Sequence, residues 1–229
     1  MKVAVVIVSY NSLKFLPRTL KSVVDYAPEA TTYVIDNASA DGSVQFIKNN
    51  FPQFKLIIED TNTGFAAANN IGMNQALTSG AEAILLLNPD AELTAGCLDR
   101  LLNFLVKNSK LGLVQPRVNL PSGKINSLGN CYNYLGFGYA GGNGLTYEVA
   151  LRQLAWFKNS TDIPYFSGAA VLIRAEALKQ VGLFDADLFL YHEDLELSLR
   201  LRCLGFGMQV VPEAEVIHHY KFAAGASKF

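Results

Sequence analysis

The turn Asn88-Pro89-Asp90-Ala91-Glu92 puts two carboxylates directly after the apolar run Ala83–Leu87. Pro89 has no N–H, so strand pairing stops there. Asp90 and Glu92 are therefore delivered at the carboxyl end of a buried strand, where open α/β sheets bind ligands. Hard oxygen donors in that position suit Mg²⁺ or Mn²⁺, and such a cation suits a diphosphate. The same residues also fit a plain strand-to-helix turn, with Asp90 or Thr94 capping the next helix. Three more polar clusters fall at the ends of apolar runs: Ser9-Tyr10-Asn11, Asp36-Asn37 and Glu193-Asp194. A histidine pair, His218-His219, lies near the C-terminus.

The elements that must position these groups alternate. Val3–Val8 is an unbroken, mostly β-branched run, as expected of a strand buried on both faces. Helical spacing follows over Leu13–Tyr26 and ends at Pro28. Thr32–Ile35, Phe54–Ile58 and Ala83–Leu87 read as further strands. Between and after them, Val44–Asn50, a segment reaching about Ser79, and roughly Ala95–Asn108 read as helices. This β-α repeat predicts a parallel sheet with right-handed crossovers. The first three polar clusters must then emerge along one edge. Gly112–Pro116 reads as another strand. The stretch from about 119 to 165, rich in Gly, Asn, Tyr and Phe, reads as a long loop of the functional or mobile kind. Beyond it come a strand over Tyr165–Ile173, a helix over Ala175–Val181, and a helix opened by Tyr191-His192-Glu193-Asp194 and closed by Gly205. Met208–Val211 and Val216–Tyr220 read as strands.

With 229 residues, half of them hydrophobic and 17% charged, the chain fits one large α/β domain. A net charge of −1 gives it none of the basic footprint of a nucleic-acid binder. No apolar run approaches the roughly 18 residues of a membrane-spanning helix. The N-terminal apolar stretch is too short for a secretory leader and lacks a small-residue cleavage site. Cys97, Cys131 and Cys203 are odd in number and widely spaced, which points to a reducing cytoplasm and away from disulfides or structural zinc.

Six segments, in order, carry a resemblance. They are Val5–Asn11, Val34–Ser43, Asn62–Gly72, Leu87–Asp90, Phe166–Ala170, and Val181–Asp185 leading to Glu193–Arg200. Together they resemble glycosyltransferase family 2, the inverting nucleotide-sugar transferases of GT-A fold, and most closely its bacterial rhamnosyltransferase-type members. The resemblance implies a single domain. Its half 1–116 would bind the nucleotide sugar and its half 117–229 the acceptor. The sheet would be Rossmann-like, mostly parallel and flanked by helices.

The resemblance also implies roles. Ser9, Tyr10, Asn11, Asp36 and Asn37 would hold the nucleoside, while Ser12, Asp41 and Ser43 are free to cap helices. Asn62, Gly64, Phe65 and Asn69 would lie under the nucleotide, with a helix N-terminus favouring phosphate. Simple helix–sheet packing explains Ala66, Ala67 and Ala68 equally well. Asn88-Pro89-Asp90 would replace the family's Asp-x-Asp, leaving Asp90 as the main ligand for Mn²⁺ or Mg²⁺ and Glu92 as a helper. Asp194 would be the general base, with Glu193 behind it; an N-terminal helix charge is the plainer role for Asp194 and Glu196. His218, ahead of His219, would contact metal or diphosphate. Gly168 and the aromatic Trp156 would face the acceptor.

The implied reaction moves a sugar from a UDP- or dTDP-linked donor to a saccharide or lipid-linked acceptor in cell-surface polysaccharide synthesis. It would take place in the cytoplasm, at or near the inner face of the membrane through peripheral association. Similar enzymes often continue past the late histidine, so the short C-terminus makes a non-catalytic nucleotide-sugar-binding domain the alternative. A nucleotidyltransferase or dehydrogenase would need a Gly-rich loop after the first strand, and no Gly precedes Gly42.

Overall fold

In the computed structural model, which describes residues 1–135, 137–154 and 162–219, the expected alternation is present. The first half runs β1 (Val3–Ser9), α1 (Leu16–Tyr26), β2 (Thr31–Asn37), α2 (Ser43–Asn50), β3 (Lys55–Glu59), α3 (Gly64–Thr78), β4 (Ala83–Leu87), β5 (Ala91–Leu93), α4 (Cys97–Lys107) and β6 (Leu111–Asn119). The second half runs β7 (Ile125–Ser127), β8 (Asn130–Tyr132), β9 (Gly138–Ala140), α5 (Tyr147–Leu154), β10 (Ala170–Arg174), α6 (Ala175–Val181), α7 (Glu193–Cys203) and β11 (Gly207–His218).

The central sheet has the order β3-β2-β1-β4-β10-β6-β11-β5, with β7 added against β6. β3, β2, β1 and β4 are parallel neighbours. β1 sits inside this parallel half and is buried along its whole length, which accounts for its unbroken apolar sequence. Alternate residues feed two cores. Val6, Val8, Tyr33 and Ile35 pack with Ala66, Ala68 and Met73 of α3. Val5, Ile7 and Val34 pack with Leu16 and Leu20 of α1 and Leu101 of α4. A Cβ on Gly72 would run into Val6 and Ile35, so α3 lies hard against the sheet. Buried Ala66 and Ala68 belong to that packing.

The second half departs from the alternation. β10 inserts antiparallel between β4 and β6, and β11 runs parallel to β6. Pro116 lies inside β6, but β10 pairs only with Leu113 and Val114, so the missing N–H costs no ladder bond on that side. β11 shifts register between Val211 and Glu215, joining what the sequence divides into two strands. Tyr220, expected at its end, lies outside the described residues. β10 begins at Ala170 instead of Tyr165; Tyr165 makes only an isolated bridge to Asn130. The stretch read as one long loop contains β7, β8, β9 and α5, elements of three to eight residues that periodicity is too short to reveal. β5 was missed for the same reason.

Candidate active site

Ser9 and Asp36 end β1 and β2 and stand opposite each other in register. Both are fully buried. Ser9 Oγ and Asp36 Oδ2 have no hydrogen-bond partner among the described residues, while Asp36 Oδ1 accepts from the Ser39 N–H at 2.9 Å. The polar residues around them are occupied with one another. Asn11 Oδ1 accepts from the Ala40 N–H at 2.9 Å. Asn37 donates to Asn62 Oδ1 at 2.8 Å and to the Gly64 carbonyl, and accepts from the N–H and hydroxyl of Thr63. Asn69 is buried and donates back to the Phe65 carbonyl at 2.9 Å. The side chains of Asn37, Asn62 and Asn69 thus build the start of α3.

Gly64, at φ +85°, has its close approach with Phe189: a Cβ there would sit 2.6 Å from the Phe189 carbonyl oxygen. That carbonyl accepts from the Phe65 N–H at 2.6 Å and lies 3.3 Å from the Ala66 nitrogen. The helix start that the sequence offers to phosphate is therefore closed by the 189–192 segment. The capping expectations fare unevenly. Asp41 accepts from the Ser43 N–H and hydroxyl and from the Leu13 N–H, tying the loop after β1 to the start of α2. Burial pulls its carboxyl upward, but the hydrogen bonds led by Ser43 outweigh it and lower the pKa. Ser12 caps nothing with its side chain; its hydroxyl donates to the Tyr10 carbonyl.

At the acidic turn, β5 intervenes before α4, whose N-cap is Gly96, so neither Asp90 nor Thr94 caps it. Thr94 donates to the Glu215 carbonyl instead. The turn is fixed by the Thr19 hydroxyl, 2.8 Å from the Pro89 carbonyl, and by the Asn88 N–H, 2.9 Å from the Ala169 carbonyl. Asn88 Oδ1 is buried without a partner among the described residues. Asp90 Oδ1 lies 3.0 Å from His218 Nε2, and His218 Nδ1 lies 2.8 Å from Asn126 Oδ1. Successive residues of a strand point to opposite sides. His219 accordingly meets Glu92, 2.5 Å away, next to the Phe15 ring. No cluster of three or more His, Cys, Asp or Glu that could hold a metal occurs among the described residues. The available set is one carboxylate and one imidazole, which fits Mn²⁺ or Mg²⁺ when a diphosphate supplies the other oxygens.

Glu193 and Asp194 open α7. The segment leading to them holds Phe189, Tyr191 and His192 at positive φ, three non-glycine residues in a costly conformation. Glu193 is 5% exposed and its Oε2 has no partner among the described residues. Burial, then the adjacent Asp194 charge, pushes Glu193 up to about 7. Burial raises Asp194 to about 6 against the pull of the Leu195 and Gly168 backbone N–H groups. Glu196 is committed to Arg200 at 2.6 Å. A cavity of about 290 Å³ opens on Asp194, lined also by Gly138, Tyr165, Tyr191, His192 and Leu195. Burial first, and the Asp194 charge second, pushes the Tyr165 phenol up to about 12, so it remains a neutral donor there. A larger cavity of about 360 Å³ lies at the far ends of β2 and β3, lined by Pro28, Thr32 and Lys55 among others and by no carboxylate.

These clusters are consecutive along one sheet edge. Ser9 and Asp36 neighbour each other on β1 and β2, and β1 pairs with β4, which ends in the acidic turn. That turn bonds Ala169, and the next residue, Gly168, reaches Asp194. Residues 4–182 match the family described as "Glycosyl transferase family 2". The chain belongs to that family. It is 30% identical to an N-acetylglucosaminyl-diphospho-decaprenol L-rhamnosyltransferase of Mycobacterium tuberculosis over 96% of this chain and 77% of the relative. It is 25% identical to the dTDP-rhamnosyl transferase RfbF of Shigella flexneri, over 93% of this chain and 67% of the relative. The fold is shared with GalNAc-T7, solved with UDP, GalNAc and Mn²⁺, at TM-score 0.77 and 21% identity, over 99% of this chain but 46% of that one.

For this family 2 chain the expected sheet and edge are thus in place, and the site residues fall into two sets. Ser9, Asp36, Asn88, Asp90, His218, Glu193 and Asp194 bring buried or paired polar atoms to the edge. Asn11, Asn37, Asn62, Gly64 and Asn69 shape the loops beneath it. Gly168 adjoins Asp194 and lies against the Phe65 ring. Trp156 lies outside the described residues. Asn126, Tyr191 and the Phe189 carbonyl were not anticipated; nothing in an Asn- and Gly-rich stretch distinguishes one Asn from its neighbours.

Proposed function

We propose that this chain is an inverting transferase that moves a hexosyl group from a UDP- or dTDP-sugar to a saccharide or lipid-linked acceptor of a cell-surface polysaccharide. The observation that carries the reading is the contact path from the Asp90–His218 pair through Asn88, Ala169 and Gly168 to Asp194. It supports reading Asp90 and His218 as a pair for a cation and the half-buried Asp194 as a carboxylate further along the same edge. The orphaned Ser9 Oγ and Asp36 Oδ2 then take the nucleoside's hydroxyls or base N–H groups. Asp90 and His218 would hold Mn²⁺ or Mg²⁺ together with the donor diphosphate, and a cation there would supply charge stabilisation for the departing nucleoside diphosphate.

Asp194 accepts the proton of the acceptor hydroxyl in the 290 Å³ cavity, on the side away from the diphosphate. Its pKa near 6 leaves it ionised at neutral pH yet basic enough to act. Tyr165 and Tyr191 offer ring faces and hydroxyls to an acceptor sugar. The mycobacterial and Shigella relatives, named for rhamnosyl transfer, favour dTDP-rhamnose as the first donor to try. No helix among the described residues is long and apolar enough to cross a membrane. The test is release of nucleoside diphosphate from a donor panel with Mn²⁺, with and without EDTA, plus the anomeric configuration of the product by NMR. Metal-independent release, or a product that keeps the donor's anomeric configuration, rejects the mechanism.

A further inference from the structure

Two neighbours of His218 differ in their chemistry. Asn126 Oδ1, 2.8 Å from Nδ1, is an amide oxygen and can only accept. Nδ1 must therefore carry the proton. In the neutral ring Nε2 then has a bare lone pair, and it faces Asp90 Oδ1 at 3.0 Å, another acceptor when ionised. Two lone pairs aimed at one point need a positive charge between them: a proton, which makes the ring an imidazolium that donates to Asp90, or a metal ion that both atoms hold. If the Asn126 amide were turned over, its NH₂ would force the opposite tautomer. Nε2–H would then donate to Asp90, and no lone pair would be left for a metal.

The fold explains how Asn126 reaches this position. β7 pairs with β6, and β6 pairs with β11, so Asn126 and His218 stand two strands apart at the end of one sheet. Ile125 and Ser127 are buried while Asn126 is half-buried, so the alternation of β7 turns Asn126 away from the side its neighbours occupy. Ser127 is held by hydrogen bonds to Gln115 and Asn130, which keeps the short strand in register. His218 is only 6% exposed, and solvent has little room to replace the amide.

We infer that Asn126 is a positioning residue that fixes His218 as the Nδ1–H tautomer and aims Nε2, together with Asp90, at a divalent cation. The inference rests on the metal-dependent reading above. A partner on the far ring nitrogen of a metal-binding histidine is typically worth about 10–100-fold in metal affinity.

The experiment is a Mn²⁺ titration followed by EPR, in saturating UDP and separately in saturating dTDP. It compares the wild-type chain with Asn126→Leu, which removes the acceptor, and Asn126→Asp, which keeps it. Asn126→Leu should bind Mn²⁺ about 10–100-fold more weakly. Asn126→Asp should stay within about threefold of wild type, and the melting temperatures should confirm that all three are folded. Nitrogen-15 NMR of the metal-free chain should show His218 protonated at Nδ1 in wild type and Asn126→Asp, and a shift toward the other tautomer in Asn126→Leu. Equal Mn²⁺ affinity in wild type and Asn126→Leu, or an Nε2–H tautomer in wild type, overturns the inference while leaving the metal-dependent reading intact. A wild-type chain that takes up no Mn²⁺ with either nucleotide overturns both.

Discussion

Asn37 and Glu193 are both buried polar side chains at the same edge of the same sheet, and the fold treats them in opposite ways. Asn37 makes four hydrogen bonds, to Asn62, Thr63 and Gly64. Glu193 has an oxygen with no partner among the described residues and a pKa driven up to about 7. The contrast extends to their surroundings. On the β1–β2 side, amides and hydroxyls knit the loops into a floor, while Ser9 Oγ and Asp36 Oδ2 have no partner among the described residues. On the α7 side, buried Glu193 and half-buried Asp194 stand next to each other behind a segment that holds three left-handed residues. A satisfied network gives shape, whereas unsatisfied buried acids give reactivity at a cost in stability. The two regions meet where the Phe189 carbonyl closes the start of α3 and where Asn70 exchanges hydrogen bonds with the Phe184 backbone.

The largest effect that would test this division is on rate. Asp194→Asn should lower kcat by about 10²–10⁴-fold, with donor affinity by calorimetry almost unchanged. Near-normal turnover would remove the role of base from Asp194 and leave Glu193 as the candidate on that side. Asp90→Ala should weaken Mn²⁺ binding in the presence of nucleotide by about tenfold or more, measured as a rise in the Mn²⁺ concentration needed for half-maximal activity.

On the opposite side the expected loss is of stability instead. Asn37→Ala leaves its partners unpaired in a buried place, which costs about 1–3 kcal/mol. At about 2–4 °C per kcal/mol for a chain of this size, the melting temperature should drop clearly, while kcat per folded molecule stays within about twofold of wild type. A large loss of kcat with no change in melting would place Asn37 in contact with substrate after all.

The smallest effects are those of pH. Activity should decline as pH falls through about 6, because Asp194 must be ionised to accept a proton. Glu193 holds its proton more tightly folded than unfolded, so its contribution to stability is complete below 4.5 and fades as pH rises to about 7. Glu193→Gln, which cannot ionise, should therefore melt about 2–4 °C above wild type at pH 8 and together with it near pH 4. A mutant that is less stable at pH 8 would show that the ionised Glu193 has a partner in solution.

Much of this was legible in residue order. The runs Val3–Val8 and Ala83–Leu87 are apolar because both their faces are covered, and Pro89 marks where pairing ends; these features specify the parallel half and the edge on which it opens. The segments from Val5 to Arg200 carried the family and pointed to Asp36, Asp90 and Asp194. Tertiary structure decided the rest. Short-range periodicity carries no record of the antiparallel insertion of β10, which depends on strands more than 50 positions apart in sequence, as in Leu172 opposite Val114. It could not tell a ligand-binding amide from a structural one either. Asn37, Asn69 and Asn126 share one chemistry, and each is assigned its task only by the atom that stands opposite: a turn, a helix carbonyl, or a histidine ring nitrogen. His218 and His219 are told apart in the same way, because strand alternation sends one to Asp90 and the other to Glu92.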